Sequence, residues 1–275
     1  MNTRNPFAVV TGASSGIGYE PARQLAGRGH DLVINAEDGP RLHEAASRIR
    51  QEGTHVEVVE ADLCRYEEAE RLWQAVAARG RPVAVVALNA GVGQGGAFVD
   101  TDLADELEIV DLNVRSTVHL AKRALRHMTE RDEGNVLITS SIAATMPGSF
   151  QAVHNASKSF LQSFSQAVQN GLKDSGVTVT ALMPGPTETD FFRRADMGDT
   201  EVGQQDEDDP ADVARRGLDA MESGKDKVVA GSLTTKVQDL LHKVLPDSVK
   251  AEGHRRMAGP GTGDARTPAS EEWSR

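Results

Sequence analysis

The chain has 275 residues, long enough for one large α/β domain or two small ones, and its 39% apolar and 26% charged content suits a soluble globular protein with a sizeable core. Its formal net charge of −11 excludes general affinity for nucleic acid or anionic membrane, because a basic surface supplies most of that binding. A single cysteine, Cys64, excludes an internal disulfide framework; with no apolar run of the roughly 18 to 20 residues that span a bilayer and no signal-like leader, a cytoplasmic protein without a membrane partner is expected.

Phe7 to Val10 is a short apolar run that reads as a buried strand, followed by the turn Gly12-Ala13-Ser14-Ser15-Gly16-Ile17-Gly18. A helix follows to about Gly29, in which Pro21 is awkward, although the first turn of a helix tolerates proline. Leu32 to Ile34, Val56 to Val59 and Val83 to Leu88 read as further strands, with helices at about 40–51 and 67–78 between them. Leu107, Val110, Val114, Val118, Ala121, Leu125 and Met128 form an apolar stripe at helical spacing, predicting one long helix over about 103–131. Val136 to Ile138 is a fifth strand, a helix from about 151 to 173 follows, and Val177 to Met183 is a sixth. Pro210 to Ser223 reads as a helix, Lys227 to Ala230 as a last strand, and Leu233 to Leu245 as a partly apolar helix.

Strands and helices alternate to about residue 230, which implies right-handed βαβ units and a doubly wound parallel sheet with helices on both faces. The expected organisation is a single Rossmann-type domain over 1–257, with a lid loop at about 187–209, a C-terminal extension at about 231–257 and a disordered tail over 258–275. Phe191, Phe192 and Met197 give that lid an apolar underside.

In such sheets ligands bind beyond the C-terminal strand ends at the switch point. Gly12, Gly16 and Gly18 lie between a strand and a helix, where glycines let backbone approach a pyrophosphate and the helix N-terminus supplies donors. Glu37 closes the second strand and lies about 20 residues past the loop, where an acid can bond the adenosine ribose. A carboxylate there repels a 2′-phosphate, so NAD is preferred over NADP.

Ser141, His154 and Lys158 form a second constellation. Residues four apart share a helical face, which sets the His154 imidazole beside the Lys158 ammonium, and a strand-end hydroxyl at Ser141 can join them. A serine, a titratable ring and a lysine in one cleft can move a proton.

Taken together, these segments resemble the short-chain dehydrogenase/reductase family, over residues 6 to about 230. Thr11 to Gly18 is similar to its TGxxxGxG loop, Asp62-Leu63 to its adenine-side pair, and Asn89-Ala90-Gly91 to its NNAG signature with Leu88 for the first asparagine. Asn113 falls on its helix asparagine, Ser141 on its serine, Lys158 on the lysine of YxxxK, and Pro184-Gly185-Pro186-Thr187-Glu188-Thr189 on its PGxxxT segment. The resemblance implies a cofactor site built from Gly12, Ser14, Ser15, Gly16, Ile17, Gly18, Glu37, Asp62, Leu63, Asn89, Ala90, Gly91, Lys158, Pro184, Gly185, Thr187 and Thr189. It implies hydride exchange between NAD or NADP and an alcohol/carbonyl pair, catalysed by Ser141, Lys158, Asn113 and the residue at 154, with no metal. It also implies a homo-oligomer, a dimer or tetramer, assembled through the two long helices.

One position departs from the family. His154 stands where YxxxK carries tyrosine, and the chain's two tyrosines, Tyr19 and Tyr66, are far away in sequence. Imidazole beside an ammonium titrates below its ordinary value and makes a poor proton donor. Two outcomes follow: a dehydrogenase of weakened or altered activity, or a dinucleotide-binding protein with a regulatory role and no efficient turnover.

Overall fold

The computed structural model describes residues 5–204, 208–231 and 245–263. The helix expected over 233–245 lies outside them except for Leu245. Seven strands, β1 (Phe7–Thr11), β2 (Asp31–Ala36), β3 (Val56–Glu60), β4 (Val85–Leu88), β5 (Gly134–Thr139), β6 (Val177–Pro184) and β7 (Lys227–Ala230), form one sheet. Their order is β3-β2-β1-β4-β5-β6-β7 and every pairing is parallel. The order reverses between β1 and β4, which opens a crevice above their C-terminal ends.

Successive strand residues point to opposite faces, and each face is covered. Val9, Val33, Val86 and Ile138 pack with Leu72 of α3 (Tyr66–Ala77), Leu120 and Met128 of α5 (Thr117–Thr129) and Leu161 of α6 (Ala152–Gly171). Ala8, Val10, Leu32 and Ile34 pack on the other side with Leu25 of α1 (Gly16–Gly27), Leu42 and Ile49 of α2 (Gly39–Ile49), and Leu218 of α8 (Pro210–Glu222). Two-sided burial is why these strands read as unbroken apolar runs instead of alternating ones.

Three expectations change. The long helix is divided into α4 (Leu103–Ile109), a π-helical stretch Val110–Ser116, and α5. Asn113, in the π stretch, is fully buried and bonds groups outside its own helix, a tertiary requirement that the apolar spacing does not encode. Pro21 sits inside α1, past its first turn, so the Ile17 carbonyl has no i+4 amide to accept. The tail expected to be disordered from 258 is structured through 263: Ala258 ends α9 (Asp247–Ala258), and the Gly261 and Gly263 amides donate to the Asp199 carboxylate and carbonyl at 2.9 Å each.

The segment after β6 carries α7 (Phe191–Arg194) and a 3-10 turn at Val202–Gln204, and Thr187 bridges Asp208. Among the described residues no helix is long and apolar enough to cross a membrane.

Candidate active site

The turn after β1 holds Gly12 at φ +67° and Gly16 at φ +54°, a left-handed backbone that favours glycine. A Cβ added at Gly12 would lie 2.8 Å from the Ala90 Cα, and one at Gly16 2.7 Å from the Thr189 Cγ2. At Gly18 it would overlap the Gly12 carbonyl and the Asn89 side chain. The loop is thus packed between the end of β4 and the segment after β6. Thr11 fixes one side, its hydroxyl accepting from the amides of Asn89 at 3.0 Å and Ala90 at 3.1 Å.

Asp38, Asp102 and Asp209 cap the N-termini of α2, α4 and α8 through their side chains, whereas Ser15 at the start of α1 makes no such bond. First-turn amides of α1 therefore keep their donor capacity for an anion in the cavity. At the far end, fully buried Asn35 donates to the Val59 and Ala61 carbonyls at 3.0 and 3.1 Å, and its Oδ1 has no hydrogen-bond partner. Glu37 is exposed at the end of β2, and Asp62 accepts from the Cys64 amide at 2.9 Å. Burial, then Asp62, pushes the Cys64 thiol up to about 12, which removes it as a nucleophile.

His154 and Lys158 sit on one buried face of α6. The Lys158 ammonium donates to the Thr139 carbonyl at 3.2 Å, and burial lowers its pKa to about 8. His154 Nδ1 lies 3.1 Å from the Val92 carbonyl, a contact that assigns the proton to Nδ1 and the lone pair to Nε2. Burial first, then the Lys158 charge, lowers the ring pKa to about 3. Ser141 caps a 3-10 turn, Ile142–Thr145, its Oγ accepting from the Ala143 amide at 3.1 Å.

All of the residues expected to hold a cofactor line one cavity of about 290 Å³, and Ser141 and His154 line it with them. Asn113 stands behind the wall. It accepts from the Val92 amide at 2.9 Å, donates to the Val92 carbonyl at 3.0 Å, and donates to the Ser157 hydroxyl at 2.9 Å. Among the described residues it makes no hydrogen bond to Lys158; it acts on the site by holding the Val92 carbonyl that His154 uses.

Several lining residues were not anticipated: Asn35, Thr139, Gln151, Arg194, and His254 and Met257 of α9. His254 and Met257 are three apart and share a helical face, a spacing visible in the sequence to which no local pattern gives meaning. His254 Nδ1 is 2.8 Å from the Ser149 carbonyl and Nε2 is 3.5 Å from Asn155 Nδ2. The Phe191 ring lies 5.2 Å from the His154 ring between centroids, and Gly93 permits that approach, since a Cβ there would meet Phe191 Cζ at 2.6 Å. Met197, expected beneath the lid, is buried beside Gly95 and does not line the cavity. Arg41 pairs with Asp190 at 3.2 Å, tying the segment after β6 to α2.

The sequence profile of the short chain dehydrogenases matches residues 6–199. The chain belongs to the short-chain dehydrogenase family. Among the chain's relatives, an uncharacterized oxidoreductase of Staphylococcus saprophyticus is 29% identical over 81% of this chain and 93% of its own length. The dehydrogenase/reductase SDR family member 4 of Bos taurus is 31% identical over 70% of this chain and 71% of its own. Among solved structures, a short-chain dehydrogenase from Sphingobium yanoikuyae in complex with NADPH superposes with a TM-score of 0.78. It is 27% identical, and the match covers 86% of this chain and 92% of that one.

Proposed function

We propose that this short-chain dehydrogenase transfers hydride between a nicotinamide dinucleotide and an alcohol/carbonyl pair, and that His154 limits the proton transfer. The observation that carries this reading is the convergence of the glycine loop, Ser141, His154 and Lys158 on one cavity at the sheet's switch point. The donor set fits a dinucleotide: uncapped amides of α1 for the pyrophosphate, Asn35 Oδ1 and Asp62 toward the adenosine end, and Lys158 toward the nicotinamide ribose. When bound, the nicotinamide supplies or accepts the hydride. The chain's residues orient the substrate oxygen and handle its proton.

The Ser141 hydroxyl donates to the oxygen on which charge develops. His154 holds its proton on the side facing Val92, so Nε2 can only accept. Such a ring receives a hydroxyl proton during alcohol oxidation and has none to give an alkoxide during carbonyl reduction. With a pKa near 3 it is also a weak base. That value supports a second reading, in which the site binds the dinucleotide for a regulatory purpose and turns over poorly or not at all.

NAD is the proposed cofactor. Burial first, then the neighbouring charges of Glu37, Asp105 and Asp62, raises the Glu108 pKa, and these carboxylates make the adenosine end an acidic rim. Arg41 on α2, a cation near Glu37, is engaged by Asp38 and Asp190. A homo-oligomer is proposed as well, supported by exposed Leu103, Leu107 and Phe160 on α4 and α6.

Fluorescence titration with NADH, followed by a panel of alcohols and ketones, tests the reading. Binding accompanied by turnover that disappears in Lys158→Ala and Ser141→Ala is expected. Binding without hydride transfer selects the regulatory reading, and absence of NADH binding sinks both.

A further inference from the structure

Besides the reacting groups, the cavity is lined by Phe191 and Phe192 of α7, by Val202 and by Met257 of α9. Arg194 lies at its rim as the last residue of α7, one helical turn beyond Phe191. The carboxylate at the start of this helix, Asp190, is already engaged by Arg193 at 3.0 Å and Arg41 at 3.2 Å. Among the described residues the Arg194 guanidinium has neither an ion pair nor a hydrogen bond, although it lines the cavity beside aromatic and thioether side chains. The chain as a whole carries a net charge of −11, so an anion is drawn here only by a local cation.

We propose that the compound this site accepts is amphiphilic: a carbonyl or alcohol carbon near Ser141, an apolar body between α7 and α9, and a carboxylate held by Arg194. This rests on the dehydrogenase reading of the same cavity and adds the substrate class to it. Arg194 is exposed, and its guanidinium presents two parallel donors that match a carboxylate. Arg194 is a specificity residue and takes no part in hydride or proton transfer.

Isothermal titration of the full chain, with and without NADH, compares benzoylbutyrate with its methyl ester, which keeps the shape and removes the charge. The acid is expected to bind about tenfold more tightly than the ester, the scale of one charge-assisted hydrogen bond. Arg194→Gln erases that preference without changing the ester, and Arg194→Lys retains part of it. Equal affinity of the two probes for the wild type, parallel loss of both in Arg194→Gln, or no binding of the acid would overturn the proposal and leave Arg194 a solvated surface arginine. NADH titrated in the same samples separates the failures: normal NADH binding with no acid preference removes only the carboxylate, whereas absent NADH binding removes the dehydrogenase reading beneath it.

Discussion

His154 donates through Nδ1 to the Val92 carbonyl across 3.1 Å, and Asn113 donates to that same oxygen across 3.0 Å. One backbone carbonyl therefore fixes the tautomer of the ring at the centre of the site, and a buried amide in the π-helical stretch holds that carbonyl in place.

The buried ring makes stability depend on pH. Folded His154 titrates at about 3, against an ordinary value near 6.5, so above 6.5 it is neutral in both states. As pH falls below that, the unfolded chain takes the proton and the folded chain does not, so stability drops until the folded value is reached. Urea midpoints at about pH 7.5 and about pH 4.5 should show a larger acid loss in the wild type than in His154→Phe, which has no ring to titrate. Parallel losses would show that burial of this ring contributes nothing to acid sensitivity.

Asn113→Ala removes three hydrogen bonds and leaves the Val92 amide and carbonyl short of partners. A loss of about 2 to 4 kcal/mol in chemical denaturation is expected, because unsatisfied buried polar groups cost more than the bonds themselves contribute. A change below about 0.5 kcal/mol, the range of ordinary surface substitutions, would mean the π stretch does not depend on this side chain.

Gly18→Ala places a methyl against the Gly12 carbonyl, a backbone group that cannot swing aside, and against the Asn89 side-chain amide. The variant should lose NADH binding or folded yield, whereas Gly171→Ala, with open space around its Cβ position, should keep both. Normal NADH affinity in Gly18→Ala would remove the loop from the cofactor argument.

Glu37 sets the cofactor preference in this account. NADH should bind at least about tenfold more tightly than NADPH, and Glu37→Gln should narrow the gap by relieving repulsion of the 2′-phosphate. Equal affinities in the wild type would contradict the assignment.

Unbroken apolar runs and helical stripes predicted the sheet and its covering helices, because burial on both faces writes itself directly into strand composition. The glycine loop was legible because close backbone approach restricts side-chain size, as the Gly12 and Gly18 contacts show, whereas Asn89-Ala90-Gly91 stood out only through its resemblance to the family signature. The π stretch was not legible. Its apolar positions fit an ordinary helix, and the hydrogen bonds between Val92 and Asn113 within it join segments 21 residues apart. His254 and Met257 were missed because α9 reaches the cavity through contacts such as Ser149 to Ala251 and Lys250 to Thr145, which no local pattern announces. The pairing of His154 with Lys158 followed from helical spacing alone, but how far burial would lower both pKa values did not.

The central claim is that a dinucleotide site is in place and that the ring at position 154 limits its chemistry. Steady-state turnover of His154→Tyr against the wild type, over the same alcohols and ketones at saturating NAD or NADH, tests it most directly. A gain of about 10²-fold or more is predicted, the scale of restoring a positioned acid/base, with NADH affinity unchanged. Unaltered turnover in a His154→Tyr variant that binds NADH normally would contradict it.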